Sequence, residues 1–561
     1  MRVCTVVSLA LLAVMATSMT TTSPSSSSRT WTDASSAPQC VQLLPNLTWA
    51  FIPSNDGTAC VGSPAYGLYN ASRFQIGWDQ LYLETDGVYP DTLQAYAAGF
   101  FEGAATKEVV IEFYNNMIAP VQFNESVSAF FEANLEWVAK MLFAKNNTGD
   151  AVWDQVGLMM TQFDGFLDGL NSQIVDPSQK FTKVMLLFVA SQGDLLDLTG
   201  KYPVTATAVN WRNLSKHDFE LWLGQNSHCS SFVRINEDHS DLIFAHATWQ
   251  SFTFALRIFK TLTFRYRGVA MQTIQFSSYP ATFVSTDDFH MLDSKLVVME
   301  TSLNVFNLST YVHVVPESLL SWVRVMVANR LATSGSSWQN IFSQYNSGTY
   351  NNEWLIIDLN LFRPNQPWQQ ESGILTIVDQ MPGLIIGRDL TGYLFPASRH
   401  SQGQGYFPSY NVPVFPEIFN YAGYPAAIEQ QGGQMLDYNN CVRAQIFRQR
   451  CPNVSSVDDA KFLIQYNDYE HDPISQGNPL YAIASRVDLT PSSIGGAQAF
   501  GAIDGKVSSY ASFLDFQKVH AFSGPTPQQS TFSFSTTTAS LSGPHQGVPP
   551  TFNFSYNVFQ L

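Results

Sequence analysis

A layered α+β protein is predicted, with helices early in the chain and strands later. Three observations predict it. Apolar residues recur at helical spacing from about 90 to 225. From 229 onward, short runs rich in β-branched and aromatic residues dominate. The two kinds of segment do not alternate, so a parallel sheet built from βαβ units is not expected.

Each element follows from local signals. Arg2, an apolar stretch from Val3 to Met15 and small residues at Ala16 to Ser18 read as a signal peptide over 1–18. That stretch is too short to span a bilayer. A Ser/Thr-rich leader covers 19–38. Tyr89-Pro90-Asp91 is a helix entrance, and "LQAYAAGFFEGAA" after it carries small residues suited to close packing. "ESVSAFFEANLEWVAKMLFAK" has the helical period. The longest later apolar run, Val184 to Ala190, falls short of transmembrane length. "SSFVRI", "DLIFAH", "KLVVMET", "EWLIIDL" and "GILTIVDQ" read as strands. "QSFTFALRIFKTLTF", residues 250–264, reads as an amphipathic helix covering the sheet. Strands and loops are expected from about 520, and no repeat of fixed period is present.

Composition narrows the function classes. The chain has 561 residues, 45% hydrophobic, 14% aromatic and only 13% charged, the balance of a globular protein with a heavily buried interior. A formal net charge of −16 with no Lys/Arg run leaves no footprint for nucleic acid. An acidic balance also suits an acidic compartment, where protonated carboxylates relieve self-repulsion. Sequons at Asn46, Asn70, Asn124, Asn146, Asn213, Asn307, Asn453 and Asn553 agree with a secretory route ending in the lumen or outside the cell.

Cysteine arithmetic gives the sharpest clue. Of six cysteines, Cys4 leaves with the signal. Cys40–Cys60 and Cys441–Cys451 are expected local pairs, which leaves Cys229 odd. A reactive thiol and a buried inert one both fit that count.

The surrounding residues favour chemistry. Residues 230–235 and 241–246 flank the polar turn "NEDHS" and read as a β-hairpin. A turn centred between Glu237 and Asp238 sets Cys229 opposite His246. A thiol at the start of a strand suits a nucleophile that becomes a chain N-terminus. Its freed α-amine, with a reference pKa of about 7.7–8.0, takes the proton of a thiol near 8.5. Before maturation the same thiol attacks the His228 carbonyl to give a thioester, which water opens. The cleavage site is therefore His228–Cys229. On these residues alone His246 beside Trp249 reads better as a hydrogen-bonded core histidine, and Trp249 as packing.

Competing chemistries lack their motifs. No G-x-S-x-G elbow, H-E-x-x-H pair or phosphate loop is present. "EHD" at 470–472 reads as a surface loop and "GGAQAFGAIDG" at 495–505 as a loop. Neither metal nor cofactor is expected.

Several ordered segments resemble the phospholipase B-like family, the lamina ancestor group. They are "YAAGFFEG" at 96–103, "HCS", "AHATW", "LRIFK", "SSYP" at 277–280, "DDF" at 287–289, "ANRLA" at 328–332, "FSQYNSGTYNNEW" at 342–354, "PSYNVP" at 408–413 and "RAQIFRQR" at 443–450. The resemblance spans roughly 40 to 561. It departs in a shorter stretch between Phe264 and Phe276, and around 478–500 it lacks cysteines that some relatives carry.

The resemblance implies a four-layer αββα fold of the N-terminal-nucleophile hydrolase superfamily, behind a helix-rich N-terminal portion. It implies a proenzyme cut into a 39–228 fragment, ending in a processing linker, and a catalytic 229–561 fragment, the two forming one folded unit. Cys229 becomes the nucleophile and Asn411 the oxyanion donor. His246, Trp249, Ser302 and Arg443 line the pocket. Losing an oxyanion donor costs about 2.7–4 kcal/mol. Arg443 in a buried ion pair fits as well as Arg443 on a substrate.

Two function classes follow. One is an acyl hydrolase working through a Cys229 thioester. It deacylates phospholipids or cuts N-acyl amines, with transient membrane-surface contact. The other is a non-catalytic lumenal protein that keeps the fold to bind lipid or a partner.

Overall fold

Helices fill the first part of the chain: Asp91–Ala105, Lys107–Met117, Glu125–Lys145, Ala151–Ser172, Lys183–Ala190, Gln192–Lys201 and Lys216–Asn226. The structure, a computed structural model, describes residues 38–53, 60–204, 209–226, 229–366, 372–395, 404–494, 496–535 and 543–561. The signal peptide, nearly all of the leader, and His228 lie outside the described residues. The helix at 125–145 matches the periodic run end to end, and the Asn124 side chain caps it by accepting from the Ser126 N–H.

Small residues set the closest helix contact. Helices Asp91–Ala105 and Ala151–Ser172 interlock through two glycine pairs. A Cβ on Gly99 would meet the Gln162 carbonyl oxygen at 1.9 Å, and one on Gly103 would meet that of Phe166 at 2.1 Å. In return, Gly165 faces the Tyr96 carbonyl and Gly169 that of Phe100.

An eleven-stranded sheet lies against these helices. Its order is Leu384–Asp389, Leu375–Met381, Asn352–Asp358, Leu296–Ser302, Phe289–Leu292, Thr273–Ser278, Ile258–Thr263, Asp79–Thr85, Ala65–Asn70, Gln39–Leu43 and Trp49–Pro53. Neighbours are antiparallel except Asp79–Thr85, which runs parallel to Ile258–Thr263. Strands from before and after residue 229 thus share one sheet.

A six-stranded sheet runs Tyr406–Ser409, Ser230–Ile235, Leu242–Ala247, Asp504–Ser509, Val519–Ser523 and Asn557–Phe559. Strand alternation supplies two cores. Leu296 and Val298 face the helices, with Phe101, Phe163 and Trp322. Val297 and Met299 face the other way and pack with Phe232, Ile243 and Val507 of the smaller sheet. The helix Val457–Ile464 adds Ala460, Leu463 and Ile464 to that second core. The protein is therefore a mixed α+β fold of large packed sheets and helices.

Three local expectations are corrected. Residues 250–264 form no helix: Trp249–Ser251 and Ile258–Thr263 are strands joined by a short 3₁₀ turn at Phe252–Phe254. Ile258–Thr263 is buried on both faces, so period-two alternation is absent and its apolar spacing imitates a helix. The 495–505 region contains the strand Phe500–Ala502 and the start of Asp504–Ser509. Cys40 and Cys60 are bonded, but Cys441 and Cys451 are separate buried thiols. They sit at opposite ends of the helix Val442–Arg450. Nine residues rising about 1.5 Å each hold them far beyond the roughly 7 Å Cα limit of a disulfide.

Buried carboxyls tie the early helices to later segments. Asp194 accepts from the Ser321 N–H at 3.1 Å and from the Thr349 hydroxyl at 2.5 Å. Asp197 accepts from the Tyr311 hydroxyl at 3.0 Å. Burial pushes Asp197 up to about 7 and also raises Asp194, Asp288, Glu300, Glu353 and Asp379. With Asp near 3.9 in the unfolded chain, the folded state holds a proton on Asp197 that the unfolded state lacks between about pH 4 and 7. Its stabilising effect is complete below about pH 4 and is lost as pH rises through 7. Buried His246 and His290 are lowered and work in the opposite sense below about pH 6.5, but they are two groups against five, since Asp288 and Glu300 share one proton. Each fully shifted group contributes up to about 2 kcal/mol between pH 7 and 5. The melting temperature is therefore expected to be higher at pH 5 than at pH 7. Calorimetry that shows it falling would refute this assignment.

Candidate active site

The six-stranded sheet positions the candidate nucleophile. Ser230–Ile235 pairs with Leu242–Ala247 in the predicted hairpin, but with Ser231 opposite His246 and Ser230 opposite Ala247. The expected Cys229–His246 pairing is therefore off by two residues. The turn is longer than expected: Asn236 N–H bonds the Asp241 carbonyl at 3.1 Å, and His239 takes a left-handed conformation at φ +60°. A two-residue shift preserves the face, since Cys229 and Ser231 lie on the same side of the strand. His246 thus still reaches the thiol. Ligand-type atoms of Cys229, His246 and Glu300 all lie within 4.8 Å of one another.

Cys229 itself is 1% exposed and has φ +99°. A non-glycine residue held there carries about 1–3 kcal/mol of backbone strain. An N-terminal residue has no φ, so cutting the chain before Cys229 would release that strain. The thiol donates to Glu300 Oε1 at 3.8 Å. Burial first, and then the Glu300 charge, push its pKa well above the ordinary thiol value.

Arg443 fixes the other side of Cys229. It projects from the first turn of the helix Val442–Arg450. One guanidinium nitrogen donates to the Cys229 carbonyl at 2.7 Å and to Ser230 Oγ at 3.3 Å, and the other to the Tyr410 carbonyl at 2.7 Å. Its Cζ lies 4.5 Å from the centroid of the Trp249 ring. Trp249 is buried, and its Nε1–H donates to the Ile483 carbonyl at 3.0 Å. Among the described residues Arg443 makes no ion pair; burial pulls its pKa down to about 10, and main-chain oxygens satisfy it.

Asn411 arrives from the neighbouring strand. Tyr406–Ser409 pairs with Ser230–Ile235 so that Ser409 faces Ser231. Continued two residues, that register sets Asn411 opposite Cys229. Asn411 has φ +67°, a conformation that asparagine tolerates better than most residues. Its amide donates to the Ser302 carbonyl at 2.8 Å and to Ser302 Oγ at 3.4 Å. Ser302 ends the strand that carries Glu300.

His246 has a defined tautomer. Nε2 lies 2.9 Å from the Glu300 main-chain carbonyl, which only accepts, so Nε2 carries the proton. Nδ1 has no hydrogen-bond partner among the described residues. Burial and the Lys506 charge hold the imidazole pKa well below its ordinary value.

A buried charge cluster, not expected from the sequence, supports this site. Arg257 donates to Asp287 and, at 2.6 Å, to Asp504. Lys506 donates to Asp504 at 2.8 Å and to Thr248 Oγ1 at 2.7 Å. The Thr248 N–H donates to Asp504 at 2.9 Å, one residue before Trp249. On the far side of Glu300, the Tyr350 hydroxyl lies 3.2 Å from Glu300 Oε1 and 3.0 Å from Asp288 Oδ2. The available signal was a charge inside an apolar strand run, Glu300 in "KLVVMETS" and Lys506 in "IDGKVSS". Asp287 lies in "DDF", which had carried no role.

The sequons lie at the surface. Asn46, Asn146, Asn213, Asn453 and Asn553 are exposed, and Asn70, Asn124 and Asn307 are half-buried.

Sequence comparison adds an independent finding. A family profile described as Phospholipase B matches residues 65–559. Phospholipase B-like protein B of Dictyostelium discoideum is 33% identical over 513 residues, covering 90% of this chain and 86% of that protein. Phospholipase B-like protein G of the same organism is 34% identical, covering 83% and 80%. Phospholipase B-like 1 of Homo sapiens is 34% identical, covering 88% of this chain and 86% of its own.

Proposed function

The chain belongs to the phospholipase B family, and on that premise we propose that it is an acyl hydrolase that frees its own nucleophile, Cys229, by cutting the chain before it. The carrying observation is Cys229 itself. It is an unbonded, buried thiol at strained φ, beside His246, with its carbonyl clamped by Arg443. Cys441 and Cys451 are also unbonded and buried, but both have ordinary negative φ, at −60° and −55°.

The two packed sheets and their helices are read as the αββα architecture of N-terminal-nucleophile hydrolases. Before maturation, the thiol attacks the 228 carbonyl, the 228–229 C–N bond breaks, and water opens the thioester. After maturation the free α-amine takes the thiol proton for each turnover. Asn411 then donates its amide to the tetrahedral oxyanion. Arg443 keeps Cys229 in place, with Trp249 as the floor beneath it. Ser302 orients Asn411. The thiol's burial in the uncut chain keeps substrate out until cutting frees Cys229 to move. The relatives' names suggest a lipid substrate, and deacylation of phospholipid follows. A glycosylated protein of the secretory pathway, working in the lysosome or outside the cell, is the matching setting.

The test is mass spectrometry and N-terminal sequencing of purified protein after incubation at acidic pH. A fragment beginning at Cys229, with fatty acid released from phospholipid, is the expected result. Release from an N-acyl amine instead would keep the mechanism and replace the substrate. An intact chain would defeat the reading.

A further inference from the structure

Self-cleavage poses a proton problem that mature turnover does not. While the chain is uncut, the nitrogen of Cys229 is an amide and cannot act as a base. The thiol is 1% exposed, so bulk water does not reach it. Some buried group must take the thiol proton.

We infer that Glu300 is the proton acceptor for the Cys229 thiol while the chain is still uncut, held for that task by Tyr350 and Asp288. The inference rests on the self-cleavage reading above and assigns its first step.

Geometry singles out Glu300. Its Oε1 accepts from the thiol at 3.8 Å, and its Oε2 has no hydrogen-bond partner among the described residues. A buried carboxyl with an unsatisfied oxygen is costly, so its retention beside the nucleophile calls for a reason. Tyr350 supplies the next link. Its single hydroxyl proton lies between Glu300 Oε1 and Asp288 Oδ2, at 3.2 and 3.0 Å. One proton cannot serve two carboxylates, so a second proton resides on the pair. With that proton on Asp288, Asp288 donates to the tyrosine oxygen and the hydroxyl donates to an ionised Glu300. Asp287 is committed elsewhere, to Arg257, Lys506 and Ser285.

The rival base is His246. Its proton is already on Nε2, and burial beside Lys506 makes Nδ1 a weak proton acceptor. Glu300 is shifted the other way: burial and the Asp287 charge raise its affinity for a proton, and the thiol hydrogen bond already points to its Oε1.

The step balances. The thiol proton passes to the Glu300 carboxylate, and the sulfur forms a bond to the 228 carbonyl carbon. The C–N bond to Cys229 breaks, and its nitrogen takes the proton back from Glu300. One water then opens the thioester, giving a 228 carboxylate and restoring the thiol. Glu300 ends as it began.

The test follows the rate of cutting in the full chain, beside the wild type and Cys229→Ala. Glu300→Gln keeps the shape but cannot take a proton. It is expected to slow cutting at least a hundredfold with an unchanged melting temperature, and Glu300→Asp to recover part of the rate. A wild-type rate in Glu300→Gln, with Cys229→Ala uncut, overturns this inference and leaves the self-cleavage reading standing. If Cys229→Ala is also cut normally, both fall. Should Glu300→Gln fail to fold, Tyr350→Phe takes its place. About tenfold slower cutting with an enlarged solvent deuterium isotope effect supports the relay, and an unchanged rate and isotope effect overturn it.

Discussion

Cys229→Ala is expected to leave one uncut chain with no measurable acyl hydrolysis, and Cys229→Ser to cut slowly. Removing the nucleophile of a hydrolase costs on the order of 10⁶ in turnover, because positioning and oxyanion donors have nothing left to act with. Here the loss is double, since one sulfur serves both self-cleavage and turnover. Folding should survive the change. Alanine deletes a single sulfur from a site walled by His246, Glu300 and Trp249, and meets the same φ of +99° that cysteine does. A cavity that small costs about 1 kcal/mol. A serine hydroxyl is a far weaker acid than a thiol, so less of the nucleophilic form is present in a site that already disfavours charge. SDS gels of purified variants, with N-terminal sequencing, decide the matter. Normal cutting of the alanine variant would remove Cys229 from the centre of the mechanism.

Gly99→Val is expected to abolish folding without touching the site. The Cβ it adds would sit 1.9 Å from the Gln162 carbonyl oxygen and 2.8 Å from the Phe166 nitrogen. Both are backbone atoms of a helix, so no side-chain rotation can make room. The two helices must separate, which opens the packing of Phe100, Phe163 and Phe166 in the same core. Overpacking costs typically 1–3 kcal/mol where neighbours can yield. Here they cannot, and the loss is expected to exceed about 4 kcal/mol. Gly157, on the facing helix Ala151–Ser172, is the internal control. A Cβ there meets only Leu142 Cδ2 at 3.5 Å, an ordinary contact. Gly157→Ala should be neutral or stabilise by up to about 1 kcal/mol. Soluble yield and thermal melting of the two variants test the pair. A Gly99→Val protein that melts like the wild type would show that the helix contact matters little.

Much of the architecture is legible from local signals. The helix at 125–145 declares itself by period and by its Asn124 cap. The close helix contact is foreshadowed by "AAGFFEGAA", since small residues four apart on one helix face allow backbones to touch. The hairpin after Cys229 is visible as two apolar runs around a polar turn, but the cysteine count misled, because Cys441 and Cys451 are unbonded as well. These signals act over a few residues, where sterics, capping and periodicity leave few alternatives.

Other features were decided only when distant segments met. Ile258–Thr263 is a strand because Asp79–Thr85 and Thr273–Ser278 take up its backbone bonds on either side, and burial on both faces erases the alternation that would have announced it. The hairpin register turned on His239 adopting a left-handed conformation, which no pattern of apolar residues reports. Cys441 and Cys451 are ten positions apart in sequence, but a helix holds them at its two ends. Glu300 and Cys229, 71 positions apart, came together across two sheets, and Lys506 met Thr248 when their strands paired within one sheet. By itself the sequence determined which segments are helix or strand wherever a repeating face is exposed on one side, and it pointed to Cys229 through the hairpin that follows it. Only the tertiary structure decided which charges are buried beside that thiol, because burial of a charge is set by partners hundreds of residues away and not by its neighbours along the chain.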